Sequence, residues 1–180
     1  MENRSDIIYF DHAAATPARS ELWPLLPELA MRCYANPEAA HRLASEVRRL
    51  LEDAGQRLAA AVFGRALPEC RVVFGGSASE LLALLGSLKH PAHSAGVGSP
   101  LEHPAVLAML RRSFGIVHRM AVDRDGLWQL PAVPDGAVAL AAASWVQSEI
   151  GLIQPLDRML PELRRAFPEA LLLVDAVQGA

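Results

Sequence analysis

The sequence predicts an α/β fold, a mostly parallel sheet flanked by helices, and three observations carry that expectation. Strand-like and helix-period segments alternate along most of the chain. The runs AVALAAASWV (137–146) and ALLLVDAV (170–177) are almost unbroken apolar stretches, the pattern of strands covered on both faces rather than one. At 180 residues the chain is long enough to bury a core of its own as one domain.

The elements follow in order. IIYFDHAAATP (7–17) reads as a short extended start, and Ser20–Tyr34 carries apolar residues at helical spacing. Asn36-Pro37 then opens a long amphipathic stretch in which Leu43, Val47, Leu50, Leu51, Leu58 and Val62 share a face, with Gly64 as its C-cap. RVVFGG (71–76) reads as a strand ending in glycines, and SASELLALLGSL (77–88) as a helix with Ser77 or Ser79 near its N-cap. SAGVGSP reads as another strand and EHPAVLAMLRRSF (102–114) as a helix, with Pro104 tolerated in its first turn. GIVHRMAV reads as a strand and DRDG as a turn. The run 137–146 reads as a buried strand, its alanines leaving helix open; LDRMLPELRRAFP follows as a helix and ALLLVDAV as a strand.

Composition narrows the function classes. A net charge of −3 gives no electrostatic case for nucleic acid or an anionic membrane. No apolar run approaches the ~18 residues of a membrane span, and MENRSDIIYF lacks the basic and apolar regions of a signal peptide. Cys33 and Cys70 stand far apart without a CxxC partner, so neither a metal site nor a disulfide framework is expected, and a reducing cytoplasm fits. Lys89 is the single lysine.

In parallel sheets ligands collect beyond the carboxyl ends of strands, here just after Phe74, Val97, Val146 and Val174. After Phe74 comes GGSASE: its glycines allow close backbone approach, and the helix start and serine hydroxyls suit a phosphate. The same residues also make a plain capped turn. No GKS/T or GxGxxG follows. After Val97 comes LEHPAV, with His103 at a helix start, placed to stack on a flat ligand and move protons, or simply to face solvent. After Val174 come Asp175 and Gln178. A carboxylate there loses solvation and needs a partner that favours its charge, such as a protonated pyridine nitrogen; the alternative is a helix cap.

Six segments carry a resemblance: YFDHAAATP, NPEAAHRLASEVRRLLEDA, VVFGGSASE, LEHPAVL, SEIGLIQPL and LLLVDAVQGA. In that order and spacing they resemble the cysteine desulfurase branch of the class V aminotransferases, fold-type I enzymes that use pyridoxal 5'-phosphate (PLP). The resemblance implies that residues 1–180 are the N-terminal portion of such a domain: 1–35 a leading segment, 36–180 an incomplete PLP-binding large domain. It implies that Ser79, with Ala78 beside it, binds the PLP phosphate, and that His103 stacks over the pyridine ring and assists proton transfer. Asp175 corresponds to the carboxylate that keeps the ring nitrogen protonated, and Gln178 to the residue bonding the 3-hydroxyl. Ser148 stands where the family has an asparagine that helps hold the substrate carboxylate.

The departures shape the functional expectation. The family's turn usually reads TSGAT-E with an asparagine three residues later; here Ala83 takes that place, and Leu173 stands where many members have histidine. The family's cofactor-bearing lysine and sulfur-accepting cysteine lie beyond the aspartate, and Lys89, Cys33 and Cys70 match neither. The expectation is therefore an N-terminal fragment, inactive alone, weak in PLP binding and poorly soluble because of an unpaired sheet edge. The complete enzyme would remove sulfur from L-cysteine, giving alanine and an enzyme persulfide. It would be a cytoplasmic homodimer that passes sulfur to an acceptor protein, as in iron–sulfur cluster assembly. Two alternatives stand beside it: a class V transaminase or lyase acting on another amino acid, and a non-catalytic remnant serving as a binding or assembly module.

Overall fold

The computed structural model describes residues 8–64, 70–132 and 138–179, which fall into two units, Met1–Phe74 and Gly75–Ala180. Ile7, at the head of the expected extended start, and Ala137, at the head of an expected strand, lie outside the described residues.

In the first unit the start of the chain turns back on itself. The Ala14 and Ala15 amides both donate to Asp11 O at 3.2 Å, and the Tyr9 hydroxyl stands 2.9 Å from both Asp11 O and Ala15 O, to either of which it can donate. The helix expected over Ser20–Tyr34 is a 3-10 turn at Ser20–Leu22 followed by α1, Leu25–Arg32. Pro24 divides them, because it lacks the donor that one continuous helix would need. The long helix α2, Arg42–Phe63, starts where His41 Nδ1 accepts the Ala44 amide at 3.2 Å. It ends at Gly64, whose φ of +68° is a left-handed cap that glycine adopts without strain.

Two expectations change here. Of the α2 stripe only Val47 is buried; Leu43, Leu50, Leu51, Leu58 and Val62 stay 37–48% exposed. The helix packs instead through small residues, Ala44, Gly55 and Ala59 beside Val47, and a Cβ on Gly55 would meet Val72 Cβ at 3.2 Å. RVVFGG, expected as a strand, joins no ladder among the described residues. A β-prone run without a hydrogen-bonded neighbour has no reason to hold strand geometry.

The second unit is the α/β core. It contains α3 (Ala78–Gly86), β1 (Ala95–Gly98), α4 (Pro104–Ser113), β2 (Ile116–Arg119), β3 (Ala121–Val122), β4 (Trp128–Gln129), β5 (Val138–Ser144), α5 (Leu156–Ala166) and β6 (Leu171–Asp175). Four strands form a parallel sheet in the order β2-β1-β5-β6, and β3 with β4 makes a separate antiparallel ribbon. The inner strands β1 and β5 are buried almost throughout, whereas the edges β2 and β6 are partly exposed. The strand expected over GIVHRMAV is split at Met120, which is 1% exposed: its side chain joins the core and the chain leaves the sheet for the ribbon.

Helices cover both faces, as the unbroken apolar strands require. On one face Val106, Met109, Leu110 and Phe114 of α4 and its C-cap pack on Leu140 and Ala142 of β5, with Leu82 and Leu85 of α3 alongside. On the other, Met159, Leu163 and Phe167 pack on Val97, Ala141 and Ala143. Glycine sets the closest approach: a Cβ on Gly96 would lie 2.7 Å from the Phe114 ring, and one on Gly98 2.7 Å from Leu110. Only bare backbone lets α4 lie that close to β1.

The strand order contains a reversal. From β1 the chain crosses by α4 to β2 on one side, and from β5 it crosses by α5 to β6 on the other. The crevice beyond the carboxyl ends of β1 and β5 is the switch point at which open parallel sheets bind ligands.

Candidate functional site

A small cavity of about 80 Å³ lies at that crevice, the place where open parallel sheets bind ligands. Ala78 and Ser79 reach it from the start of α3, Leu101, His103 and Ala105 from the loop after β1 and the start of α4. Ser144, Val146 and Ser148 line it from the end of β5, Asp175, Val177 and Gln178 from the end of β6. All six residues singled out from the sequence, Ala78, Ser79, His103, Ser148, Asp175 and Gln178, line this one cavity.

The start of α3 resolves which serine caps it. Ser77 is the N-cap, its Oγ accepting the Glu80 amide at 3.2 Å. Glu80 Oε2 in turn accepts the Gly76 amide at 2.7 Å, a reciprocal arrangement close to a capping box. Ser79, free of that duty, lines the cavity with its hydroxyl on the helix's first turn. A helix start leaves its first amides over, and no acceptor among the described residues takes those of Ala78 and Ser79. Together with the helix dipole they favour an anion.

His103 is both a lining residue and the N-cap of α4: its Nδ1 accepts the Ala105 amide at 3.1 Å. That bond assigns the neutral ring's proton to Nε2 and limits how the imidazole can turn. Asp175 closes β6. Its backbone oxygen accepts the Trp145 amide at 2.8 Å, and its Oδ1 accepts the Val177 amide at 3.1 Å. One carboxylate oxygen thus orders the turn that leads to Gln178.

Ser148 sits in a tight return of the chain after β5. Val146 pairs with Ile153, the Gly151 amide donates to Gln147 O at 3.0 Å, and Gly151 has φ +68°. Gln147 Oε1 accepts the Glu149 and Ile150 amides at 2.7 and 2.8 Å. The carboxamide oxygen beside Ser148 is therefore committed to its own turn. Lys89 follows the far end of α3, roughly 13 Å along the helix from its start, and is not among the lining residues.

Two residues escaped the sequence reading. Ser144 is 6% exposed and lines the cavity from the last position of β5. Glu102, 4% exposed, lies beside it, with Oε2 accepting the Ser144 hydroxyl at 2.8 Å and Oε1 buried without a partner among the described residues. Burial raises the Glu102 carboxyl above the ordinary range; the Ser144 hydroxyl draws it down, and the Asp175 charge adds to the rise. The signal was available: a carboxylate directly before His103 in a segment leading off a buried strand, and a serine ending a run of alanines.

As a donor set the cavity combines helix-start amides and a hydroxyl, a flat imidazole, a carboxylate and a carboxamide. That chemistry suits a planar, phosphorylated heteroaromatic ring carrying a basic nitrogen, which is the outline of PLP.

Comparison with known proteins identifies the family. The family model described as Aminotransferase class-V matches residues 8–180. A cysteine desulfurase of Azospirillum brasilense is 32% identical over 165 residues, covering 84% of this chain and 40% of that protein. One from Cereibacter sphaeroides is 31% identical over 181 residues, covering 96% and 46%. The chain thus spans about half the length of the curated relatives it matches. Among solved structures, a NifS-like protein from Rickettsia africae superposes with a TM-score of 0.76 at 21% identity, over 93% of this chain and 47% of that one. The structure titled "SspA in complex with cysteine" gives a TM-score of 0.73 at 25% identity, over 95% and 51%. The chain belongs to the class V aminotransferase family.

Proposed function

We propose that this chain supplies the cofactor-holding half of a PLP-dependent, cysteine desulfurase-like enzyme that takes sulfur from L-cysteine, leaving alanine and a protein persulfide. One observation carries the reading: helix-start amides with Ser79, the His103 ring, and Asp175 with Gln178 converge on one cavity from separate strand ends. When bound, PLP supplies an electron sink for bond breaking at the substrate's α-carbon. In this reading the Ala78 and Ser79 amides and the Ser79 hydroxyl hold the phosphate. Asp175 holds a proton on the ring nitrogen, and Gln178 donates to the ring hydroxyl. His103 covers the ring and carries protons at Nε2, while Ser148 meets the substrate carboxylate. The enzyme would work in the cytoplasm as a homodimer handing sulfur to an acceptor protein.

Titration of the protein as its gene encodes it with PLP, followed by assay of alanine and sulfide from L-cysteine, tests the reading. Saturable PLP binding with alanine formation supports it; no PLP binding overturns it. A second reading, a class V transaminase or lyase on another amino acid, is favoured by the turn at Ser148. A short hydroxyl stands where the family has a carboxamide, and the neighbouring Gln147 oxygen is turned onto the Glu149 and Ile150 amides. PLP binding without turnover of cysteine, but with turnover of another amino acid, would select it.

A further inference from the structure

The backbone ladder between β1 and β5 stops early. Its last register pair is Val97 with Ala141. Beyond it β1 stays with β2, Gly98 pairing with Arg119, while β5 continues through Ala142, Ala143 and Ser144 beside β6. The cavity opens where the two inner strands part, and there the strand ends are joined by side chains. The loop after β1 turns tightly: the Leu101 amide donates to Ser99 Oγ at 3.0 Å and the Glu102 amide to Ser99 O at 3.3 Å. Glu102 then reaches across to Ser144 at 2.8 Å, over a chain separation of 42 residues. Ser144 is the register partner of Asp175, and the next amide, Trp145 N, donates to Asp175 O at 2.8 Å. A continuous series of bonds therefore runs from the residue before His103 to Asp175.

We propose that Glu102 is a positioning residue of the cofactor site: its bond to Ser144 replaces the missing ladder between β1 and β5 and fixes the spacing of His103 and Asp175. This rests on the PLP reading above. A nearly buried carboxyl group with one oxygen unpartnered is costly as mere filling, a cost that an apolar side chain of similar size avoids. Held by its other oxygen, it restrains two loops that the sheet no longer restrains.

The test is a double-mutant cycle in the protein as its gene encodes it, with PLP as the probe and two readouts, equilibrium affinity and the induced circular dichroism of the bound cofactor. Glu102→Ala and Ser144→Ala are each expected to weaken PLP binding about tenfold and reduce the induced signal, with the double variant no worse than the poorer single one. Glu102→Gln keeps an acceptor for the Ser144 hydroxyl and is expected to stay within about threefold of the parent. Additive losses, or folded single variants that bind and orient PLP as the parent does, would overturn the proposal. If Glu102→Ala does not fold, Ser144→Ala and Glu102→Gln decide alone. A parent protein that takes up no PLP would sink the underlying reading instead, and is told apart by the first titration.

Discussion

The imidazole of His103 accepts the backbone amide of Ala105 through Nδ1 at 3.1 Å. One side chain thus caps a helix and faces the cavity, so its two duties must be separated by choosing the replacement. Asn is a good N-cap and has no ring; Ala is neither. His103→Ala is expected to lose about 1 kcal/mol of stability together with PLP affinity, whereas His103→Asn keeps the stability and loses only the affinity. Denaturant unfolding beside PLP titration measures both. Equal loss of stability in the two variants would show that the cap bond is not made in solution.

A similar separation applies at the start of α3. Ser77 caps the helix and Ser79 lines the cavity. Ser77→Ala should cost about 1 kcal/mol of stability. Ser79→Ala should leave stability within about 0.5 kcal/mol and weaken PLP binding by removing a hydroxyl from the phosphate. Reversed effects in the same two assays would exchange their roles.

Asp175 uses Oδ1 to order the following turn. Asp175→Asn keeps that acceptor and removes the charge, so it isolates the pairing with a protonated ring nitrogen. PLP affinity should fall about tenfold or more, with the fold intact by far-UV circular dichroism. Unchanged affinity in Asp175→Asn and Asp175→Ala would remove Asp175 from the site.

Glu102 makes stability depend on pH in a known direction. Its folded carboxyl lies above the ordinary 4.5, so the folded state binds its proton more tightly than the unfolded chain does. The stability that this proton contributes is complete below the unfolded value and is lost as pH rises through the folded one. Glu102→Gln carries no such proton. The stability of the variant relative to the parent should therefore increase as pH is raised from about 4.5 upward, measured by urea unfolding at several pH values. A difference that stays constant with pH would mean that Glu102 is not buried in solution.

The core units of the fold were legible because their patterns are local. The alternation from α3 through β6 is written in apolar runs and in Pro104 at a helix start, and the six candidate residues stand at helix starts, at a strand end or in the turns that follow strands. The stretch 71–76 was misread because its valines and phenylalanine report a β preference, while a strand also needs a neighbour, which no local pattern encodes. The leucine stripe of α2 was visible, but whether Leu50 or Gly55 meets the core depends on what packs there. Met120 broke a strand for the same reason: its burial is decided by the sheet beneath it. Glu102 and Ser144 were missed because their importance lies in a bond across 42 residues.

The placement of Asp175 on β6 also orders events during synthesis. The helix start bearing Ser79 and the loop bearing His103 are synthesised before β6, by a delay on the order of 4–20 seconds at usual elongation rates. Until β6 lies against β5, the nascent chain has the helix start that lines the cavity without the Asp175 carboxylate that also lines it. The wall of the cavity that α3 and α4 supply is therefore synthesised before the strand that brings Asp175 to it.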